Sequence, residues 1–258
     1  MVKNMIFFDI DGTLLNDEKK LPASTKKALA ELKSEGHHIA IATGRAPFMF
    51  KDLLEELEID SYVSFNGQYV VARGEVIYKN PLNRQLLKSL TEFASTNEHG
   101  LVYMDHESMR ANIVYDPFIE ESIGSLKIAH PEHDPAYMDE REIYQTLLFC
   151  EGGSEKTYID MFQQFQFVRW HSVSTDILPL GGSKAIGIEK MIEHLGVEKN
   201  QVYAFGDGLN DVEMLKFVEN SVAMGNAHQQ AKEVAKHVTK HVNEDGILHG
   251  LRLVGLLK

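Results

Sequence analysis

Two pairs of carboxylates in this chain of 258 residues have types and spacing that could do chemistry. Asp9 and Asp11 stand two residues apart directly after the apolar run Met5–Phe8, and Gly12 follows them. In an extended chain the side chains of residues i and i+2 lie on one face, and a glycine lets the backbone turn sharply. Both carboxylates can then point into one cleft, although two solvated aspartates of an ordinary turn would give the same pattern.

The second pair, Asp207 and Asp211, follows the apolar run Val202–Phe205 in the same way and brings Asn210 with it. If the two runs are neighbouring strands, four carboxylates converge and repel one another unless a cation lies between them. An all-oxygen site that leaves room for water and phosphate suits Mg²⁺. Taken alone, the segment could equally be a loop and the N-cap of a helix.

A third segment could bind a phosphate group. Thr43 and Gly44 end the run Ile39–Ala42, where a hydroxyl and free backbone N–H groups can hold a phosphate oxygen. Arg45, which follows them, is a candidate substrate-binding residue. Lys184 opens a helical pattern and could neutralise phosphoryl charge, although a lone lysine is usually exposed at the surface.

The elements that must position these residues are short apolar strands that alternate with helices. The strands are continuously apolar, which is typical of a parallel sheet covered on both faces. Val63–Phe65 and Val222–Met224 are weaker candidates for the same sheet. Helical patterns cover Ser24–Ser34, Phe48–Leu57 and Lys184–Leu195. Such alternation predicts the α/β class.

The middle of the chain mixes helices and strands differently and is interrupted by Pro117, Pro131, Pro135 and the pair Gly152 and Gly153. We expect a discontinuous core domain, residues 1–81 and 183–258, and an inserted α/β domain at 82–182. The helices expected in the insert are Asn83–Asn97 and Ser154–Gln164. The strands expected there are Leu101–Met104, Ile113–Tyr115, Ile143–Phe149 and Val173–Leu178.

Composition and charge narrow the choice of partners. The formal net charge is −12, which would repel the phosphate backbone of a nucleic acid. The N-terminal apolar stretch is interrupted by Asp9 and is too short for a signal-peptide core or a membrane span. We therefore expect a cytoplasmic protein that binds neither nucleic acid nor a membrane. The sequence leaves the oligomeric state open and is compatible with a monomer.

The four motif segments together resemble the haloacid dehalogenase (HAD) superfamily of phosphotransferases. The shared features are the Asp-x-Asp-Gly-Thr opening, a threonine that ends the second core strand, a lysine at a helix start, and Gly-Asp-x-x-Asn-Asp near the C-terminus. The insert between the second and third features resembles the large α/β cap (type IIB) of the Cof-type sugar phosphatases. The resemblance covers essentially the whole chain and implies a Rossmann-like core with an inserted cap.

The resemblance also implies a role for each motif residue. Asp9 is expected to be the nucleophile, and Asp11 the acid that protonates the leaving oxygen and then activates water. Mg²⁺ is expected to bind Asp9, the backbone carbonyl of Asp11 and Asp207. Asp211 is expected to hold these ligands in position without binding the ion itself. The expected contacts to the phosphoryl oxygens are Thr43, Gly44, Lys184, Asn210 and the backbone of Ile10.

The expected activity is Mg²⁺-dependent hydrolysis of small phosphomonoesters, with sugar phosphates as the implied class, through an aspartyl-phosphate on Asp9. A small phosphorylated metabolite is the expected partner. One alternative is a phosphomutase or phosphotransferase that uses the same nucleophile. Another is a module that binds phosphate or metal without turnover, against which the presence of both Asp9 and Asp11 argues, because binding alone needs no leaving-group acid.

Overall fold

The apolar runs of the sequence form the central strands of a parallel sheet in the computed structural model, which describes residues 3–258. The strands are β1 (Met5–Phe8), β2 (His38–Ala42), β3 (Tyr62–Ser64), β4 (Tyr69–Ala72), β5 (Glu75–Lys79), β6 (Gly100–Met104), β7 (Met109–Ala111), β8 (Gln145–Phe149), β9 (Phe165–His171), β10 (Ser174–Pro179), β11 (Val202–Gly206), β12 (Asn220–Ala223) and β13 (His237–Val238). The helices are α1 (Ala23–Ser34), α2 (Lys51–Leu57), α3 (Arg84–Thr96), α4 (Pro117–Ser125), α5 (Tyr137–Glu140), α6 (Glu155–Met161), α7 (Lys184–Leu195), α8 (Val212–Phe217), α9 (Gln229–Val234) and α10 (Gly246–Leu253).

The first sheet has the strand order β13-β12-β11-β1-β2-β3-β4-β5. The strands from β13 to β3 run parallel, and β4 and β5 extend the sheet as antiparallel neighbours. Every residue of β1 is buried, so both faces of the central strand are covered, as a parallel sheet requires. Phe8 on β1 stacks on Phe205 of β11 with ring centroids 5.0 Å apart.

The helices of this first sheet position the ends of its strands. Helix α7 begins at Lys184 and stops at Gly196, whose φ of 64° is the left-handed conformation that commonly ends a helix. It contacts α8 and the strands β3 to β5, whereas α1 contacts α10 and β2. The buried faces of these elements join the sheet in one apolar core.

The second sheet is antiparallel throughout and has the order β7-β6-β8-β10-β9. Helix α3 begins where the Asn83 side chain accepts a hydrogen bond from the backbone N–H of Leu86 at 3.0 Å. Helix α4 is capped in the same way by Asp116. A separate apolar core lies between helices and strands here, and it includes Leu90, Tyr103 and Leu148.

Contacts within the chain divide it into two units. The first comprises the described residues up to Arg45, Met49–Lys79 and Ser183–Lys258, and the second comprises Ala46–Phe48 and Asn80–Gly182. The first contains the parallel sheet and the second the antiparallel one. The predicted α/β class, with a parallel-sheet core and a second α/β part, is confirmed. No helix within residues 3–258 is long and apolar enough to cross a membrane.

Some expected elements of the second unit were wrong. Ile113–Tyr115 is irregular, and the strand is Met109–Ala111 instead. The Asn112 side chain accepts the hydrogen bond of the Leu101 N–H at 2.7 Å, which ends the ladder before the apolar residues. The aromatic segment Phe165–His171, for which no strand was expected, is β9.

Two helices are shorter than expected. A separate 3₁₀ turn, Pro47–Met49, replaces the start of the helix expected at Phe48–Leu57, and α2 begins only at Lys51. Helix α6 ends at Met161, before the expected Gln164.

Candidate active site

The carboxylates of Asp9 and Asp207 lie close together because β1 and β11 are parallel neighbours. Phe8 pairs with Phe205 in the register of the two strands, so Asp9 and Asp207 follow the strands at the same edge of the sheet. The backbone N–H of Asp9 donates to the Phe205 carbonyl at 3.0 Å and extends the pairing by one residue. Carboxylate oxygens of Asp9, Asp207 and Asp211 all lie within 4.8 Å of one another. The structure thus brings these three predicted residues together.

Lys184 lies inside this carboxylate group rather than at the surface. As the first residue of α7 it is completely buried, and its Nζ donates to Oδ1 of Asp9 and to Oδ1 of Asp211, both at 2.6 Å. Burial alone would lower the pKa of Lys184, but the charges of Asp211 and Asp9 outweigh burial and raise the pKa. The lysine is therefore a permanent cation beside Asp9.

Asp211 uses both of its oxygens within the protein. Its Oδ1 receives Lys184, and its Oδ2 accepts from the backbone N–H groups of Asp207 at 2.9 Å and Gly208 at 2.8 Å. A fully buried carboxylate with these partners fixes the loop that carries Asp207.

Two residues whose role the sequence did not indicate donate hydrogen bonds to the Asp207 carboxylate. Thr13 donates to its Oδ1 at 2.8 Å, and Asn226 lies 3.3 Å from its Oδ2 while donating to the Gly12 carbonyl at 2.8 Å. Thr13 belongs to the Asp-x-Asp-Gly-Thr string and could have been singled out. Asn226 has no local signal, since only the packing of the loop after β12 brings it here.

The carboxylates carry more negative charge than Lys184 balances. Burial raises the pKa of Asp9 to about 8, although Lys184 opposes the shift. Burial also raises the pKa of Asp207 to about 6, although the hydrogen bond from Thr13 opposes it. The raised pKa values at both residues indicate that Lys184 alone does not offset the negative charge of the ionised carboxylates, and oxygen donors of this kind fit a divalent cation such as Mg²⁺. The residues present therefore fit the expected metal.

The Asp11 carboxylate differs from the other three because two cationic side chains donate hydrogen bonds to it. Arg45 donates from Nε to Oδ2 at 2.7 Å and from Nη2 to Oδ1 at 2.6 Å, and Lys19 donates to Oδ1 at 2.7 Å. Burial would raise the pKa of Asp11, but Arg45 and Lys19 outweigh burial and lower it. Arg45, predicted as a substrate contact, thus contacts Asp11, and Lys19 is a further contact that the sequence analysis did not anticipate.

Two of the expected phosphate-binding residues, Gly44 and Asn210, lie beside one further side chain, Asn66. Thr43 is buried, and its hydroxyl accepts from the Arg45 N–H at 3.1 Å. Asn210 donates to Oδ1 of Asn66 at 3.0 Å, and a Cβ added to Gly44 would lie 3.0 Å from Nδ2 of Asn66. Asn66 has a left-handed backbone with φ 53°, a conformation that asparagine tolerates better than most residues.

Ile10 is fully buried between Asp9 and Asp11, and its carbonyl accepts from the Leu15 N–H at 2.8 Å. This bond folds the chain back directly after β1.

Comparison with known proteins identifies relatives along the whole chain. Residues 6–251 match the model of the haloacid dehalogenase-like hydrolase family. The putative phosphatase YkrA of Bacillus subtilis is 49% identical over 258 residues, which is 100% of both chains. A hypothetical protein of Geobacillus kaustophilus has a crystal structure that is 56% identical, with a TM-score of 0.97 over 99% of this chain and 100% of that one.

A structure of known activity class is also similar. The HAD subclass IIB sugar phosphatase BT4131 is 28% identical, with a TM-score of 0.84 over 98% of this chain and 100% of that one. The resemblance inferred from the motifs is thereby confirmed. With the motif segments assembled at one sheet edge and relatives along its full length, the chain belongs to the haloacid dehalogenase-like hydrolases and is a phosphatase of that superfamily.

Proposed function

We propose that this phosphatase hydrolyses small phosphomonoesters in a Mg²⁺-dependent reaction through an aspartyl-phosphate on Asp9. The observation that carries the proposal is the group formed by Asp9, Asp207, Asp211 and the buried Lys184. It combines a carboxylate nucleophile, a fixed cation and free negative charge for a metal ion in one place. A binding module would not need such a nucleophile beside a lysine.

The residues divide the reaction into two displacements. In the first, an Asp9 oxygen forms a bond to phosphorus while the bond to the leaving oxygen breaks, and Asp11 donates a proton to that oxygen. In the second, Asp11 removes a proton from water, whose oxygen attacks phosphorus and releases Asp9. Lys184 favours the ionised form of Asp9 that the first step requires.

Mg²⁺ would be held by Asp9, the backbone carbonyl of Asp11 and Asp207. Asp211 would hold these ligands in position without binding the ion itself. When bound, the ion supplies positive charge at the phosphoryl oxygens. Thr43, Gly44, Asn210, Lys184 and the Ile10 backbone would contact the same oxygens and orient the group. Asn66 would fix the position of Asn210, since the two amides are hydrogen-bonded.

Asp11 must change its protonation state during this cycle. As an acid it has to carry a proton, but Arg45 and Lys19 favour its ionised form in the structure. Protonation of Asp11 therefore becomes easier when its carboxylate leaves at least one of these contacts. Once ionised, the carboxylate can return to both cations.

Sugar phosphates are the substrate class that we propose. The sugar phosphatase BT4131 supports this class through its similarity over nearly the whole chain. The proposed location is the cytoplasm, where small phosphorylated metabolites are found.

The test measures inorganic phosphate released from a panel of sugar phosphates and simple alkyl phosphates, with Mg²⁺ and with a chelator. We expect release with Mg²⁺ that stops with the chelator and falls by roughly 10³-fold or more in Asp9→Asn. Asp52→Asn, an exposed carboxylate of α2, is the control and should keep the wild-type rate. Isomerised sugar phosphate without release of phosphate would indicate a transferase instead. No product of either kind from the folded, metal-bound protein would contradict the proposal.

A further inference from the structure

Two cationic side chains of the first unit share a single carboxylate. Arg45 donates to both oxygens of Asp11, from Nε at 2.7 Å and from Nη2 at 2.6 Å, and Lys19 donates to Oδ1 of the same group at 2.7 Å. Within residues 3–258, Asp11 is the one acidic residue that forms an ion pair with either cation. Two positive charges and one negative charge leave this group with one net positive charge.

The turn that carries Lys19 fixes where its side chain lies. The backbone of Asn16 accepts from the Lys19 N–H at 2.8 Å and donates to the Lys20 carbonyl at 3.0 Å. The Asn16 side chain accepts from the N–H groups of Glu18 at 3.1 Å and Lys20 at 2.9 Å. The Lys20 side chain pairs with Glu18 at 2.7 Å and is exposed. The turn therefore directs Lys19 to Asp11 and leaves Lys20 in solvent.

The two cations adjoin the proposed reaction centre. Burial is the main cause of the raised pKa of Asp207, and the charge of Asp11 adds to it, so the Asp11 carboxylate lies near this proposed metal ligand. Asp11 is also the proposed acid for the leaving oxygen. Side chains that contact Asp11 consequently lie on the leaving-group side, where the organic part of a substrate continues beyond the ester oxygen.

Both cations keep N–H donors that no residue within 3–258 uses. A lysine has three such donors and an arginine has five. The bonds to Asp11 use Nζ of Lys19 once and use Nε and Nη2 of Arg45, so Nη1 of Arg45 is left over. The Lys19 side chain is 57% exposed and the Arg45 side chain 30% exposed. A ligand can therefore reach the remaining donors from solvent.

The chemistry of this pair favours an anion over a hydroxyl group. A guanidinium can bind a carboxylate or a phosphate through two parallel N–H bonds, and an ammonium adds a compact charge beside it. The transferred phosphoryl group already has Lys184 and the proposed metal ion as its counter-charges. The surplus charge of Lys19 and Arg45 is therefore available to a second anionic group.

We propose that Lys19 and Arg45 form a subsite for a second anionic group, a carboxylate or a phosphate, which the organic part of the substrate carries close to the ester oxygen. Lys19 is then a specificity-determining residue that favours such substrates over esters with a neutral organic part. The inference rests on the proposed function, because it places the second group relative to the hydrolysed ester. Sugar phosphates that also carry an acid group or another phosphate fit both.

The test compares substrates that differ in one anionic group. Glycerol 3-phosphate has a neutral organic part, 3-phosphoglycerate has a carboxylate in place of a hydroxymethyl group, and glycerol 1,3-bisphosphate has a second phosphate. With Mg²⁺ present, we expect kcat/KM for phosphate release to be about tenfold or more higher with an anionic compound than with glycerol 3-phosphate. The compound that is preferred assigns the subsite to a carboxylate or to a phosphate, and equal preference assigns it to both.

Variants of two neighbouring lysines connect the preference with Lys19. Lys19→Met keeps most of the side-chain length but removes the charge, so the ratio of kcat/KM values should fall about tenfold. The ratio is the readout, because loss of a contact of Asp11 alone would change the rates with all substrates alike. Lys20→Met is the matched control from the same turn and should keep the wild-type ratio. Added salt should also lower the wild-type ratio, since it screens the attraction between charges.

Two results would overturn the subsite. One is an equal kcat/KM for the neutral and the anionic compounds in the wild-type protein. The other is an equal fall for all three compounds in Lys19→Met, which would make Lys19 a partner of Asp11 and nothing more.

Binding is measured separately from turnover, by calorimetric titration of the same compounds into Asp9→Asn, which lacks the proposed nucleophile. The anionic compounds should bind about tenfold more tightly than glycerol 3-phosphate. If they do so while the wild-type protein releases no phosphate from any of the three, the result contradicts the proposed hydrolysis and leaves the subsite standing.

Discussion

At the scale of single residues, the site gives chemically identical carboxyl groups different tasks. Asp9 is buried and Asp207 is half-buried, Lys184 alone does not offset their negative charge, and their pKa values are raised. Asp11 lies between Arg45 and Lys19, and its pKa is lowered. Environments that push the pKa values of neighbouring acids apart are typical of sites with divided acid and base roles. The proposed roles of Asp9 as nucleophile and Asp11 as the group that exchanges protons need the reverse of these shifts, which a metal ion beside Asp9 and the loss of a cationic contact at Asp11 would supply.

The role of Asp11 predicts a dependence on the leaving group. Asp11→Asn removes the acid but keeps the backbone carbonyl, so we expect metal binding to remain. Turnover of alkyl phosphates should fall by about 10²–10⁴-fold, the usual contribution of general acid catalysis. Nitrophenyl phosphate should lose much less in the first displacement, since its leaving group is stable without a proton. Burst and steady-state kinetics with both substrates measure the difference.

The matched control for this change is Asp17→Asn, an exposed carboxylate in the same segment of the chain. It should affect neither substrate. An equal loss of the bond-breaking step with alkyl and nitrophenyl phosphate in Asp11→Asn would mean that Asp11 orders the site rather than donating a proton.

At the scale of elements, the short turn Phe65–Gly67 after β3 links Gly44, a proposed phosphate contact, to the start of α7. Gly67 has φ +98°, and a Cβ added there would overlap the backbone oxygen of Ser183, the residue before Lys184. The turn also carries Asn66, which holds Asn210. The position of Lys184 thus depends on close backbone packing that only glycine permits.

The packing predicts a specific loss in Gly67→Ala. Gly74→Ala is the matched control, because Gly74 also has a positive φ, +79°, but no atom within 4 Å of the added Cβ. The left-handed backbone should cost either variant about 1–2 kcal/mol. The overlap with Ser183 should bring the total for Gly67→Ala above about 3 kcal/mol. Urea denaturation of both variants measures the free energies, and equal values would show that the turn relaxes freely.

The sequence predicted the elements whose signals are local. Continuous apolar runs predicted β1, β2 and β11, and α7 was predicted with its observed ends because Gly196 stops it. Since parallel strands end at one edge, the meeting of Asp9 with Asp207 followed from these strands. In contrast, three apolar residues at Ile113–Tyr115 favoured a strand that a single side-chain hydrogen bond from Leu101 to Asn112 prevents.

The parts of the site that the sequence did not predict depend on contacts between distant segments. Asn226 reaches Gly12 across 214 positions of the sequence and Asp207 across 19, and no local pattern marks it. Asn66 is likewise placed by the turn after β3. Lys19 was one charged residue in a polar run, and only the fold of that run brings it to Asp11.

At the scale of the whole molecule, a chain of net charge −12 must bind an anionic substrate. The structure gathers cations locally to do so: Lys184 lies beside Asp9, and Arg45 and Lys19 lie beside Asp11. These groups all belong to the first unit, as do the carboxylates that fit a metal ion. Binding of the ion should therefore stabilise the first unit, whose sheet carries the site.

The raised pKa values predict how this stabilisation depends on pH. Asp207, with a pKa of about 6, and Asp9, with about 8, bind protons more tightly in the folded chain than when unfolded. The metal-free protein therefore loses stability as the pH rises from about 4 to about 8, because folding then has to keep the two ionised carboxylates buried. Mg²⁺ pairs with the ionised carboxylates and removes this loss, so its effect on the melting temperature should grow with pH.

We expect a small difference in melting temperature between Mg²⁺ and chelator at pH 5.5 and a difference of roughly 5–10 °C at pH 8.5, with the ion at about 100 times its Kd. Calorimetry at constant ionic strength measures it, and if the two units melt separately only the transition of the first should move. Asp207→Asn should abolish the dependence on Mg²⁺. The exposed control Asp52→Asn should retain it. A Mg²⁺ effect that shrinks as the pH rises would mean that the three carboxylates do not bind the ion.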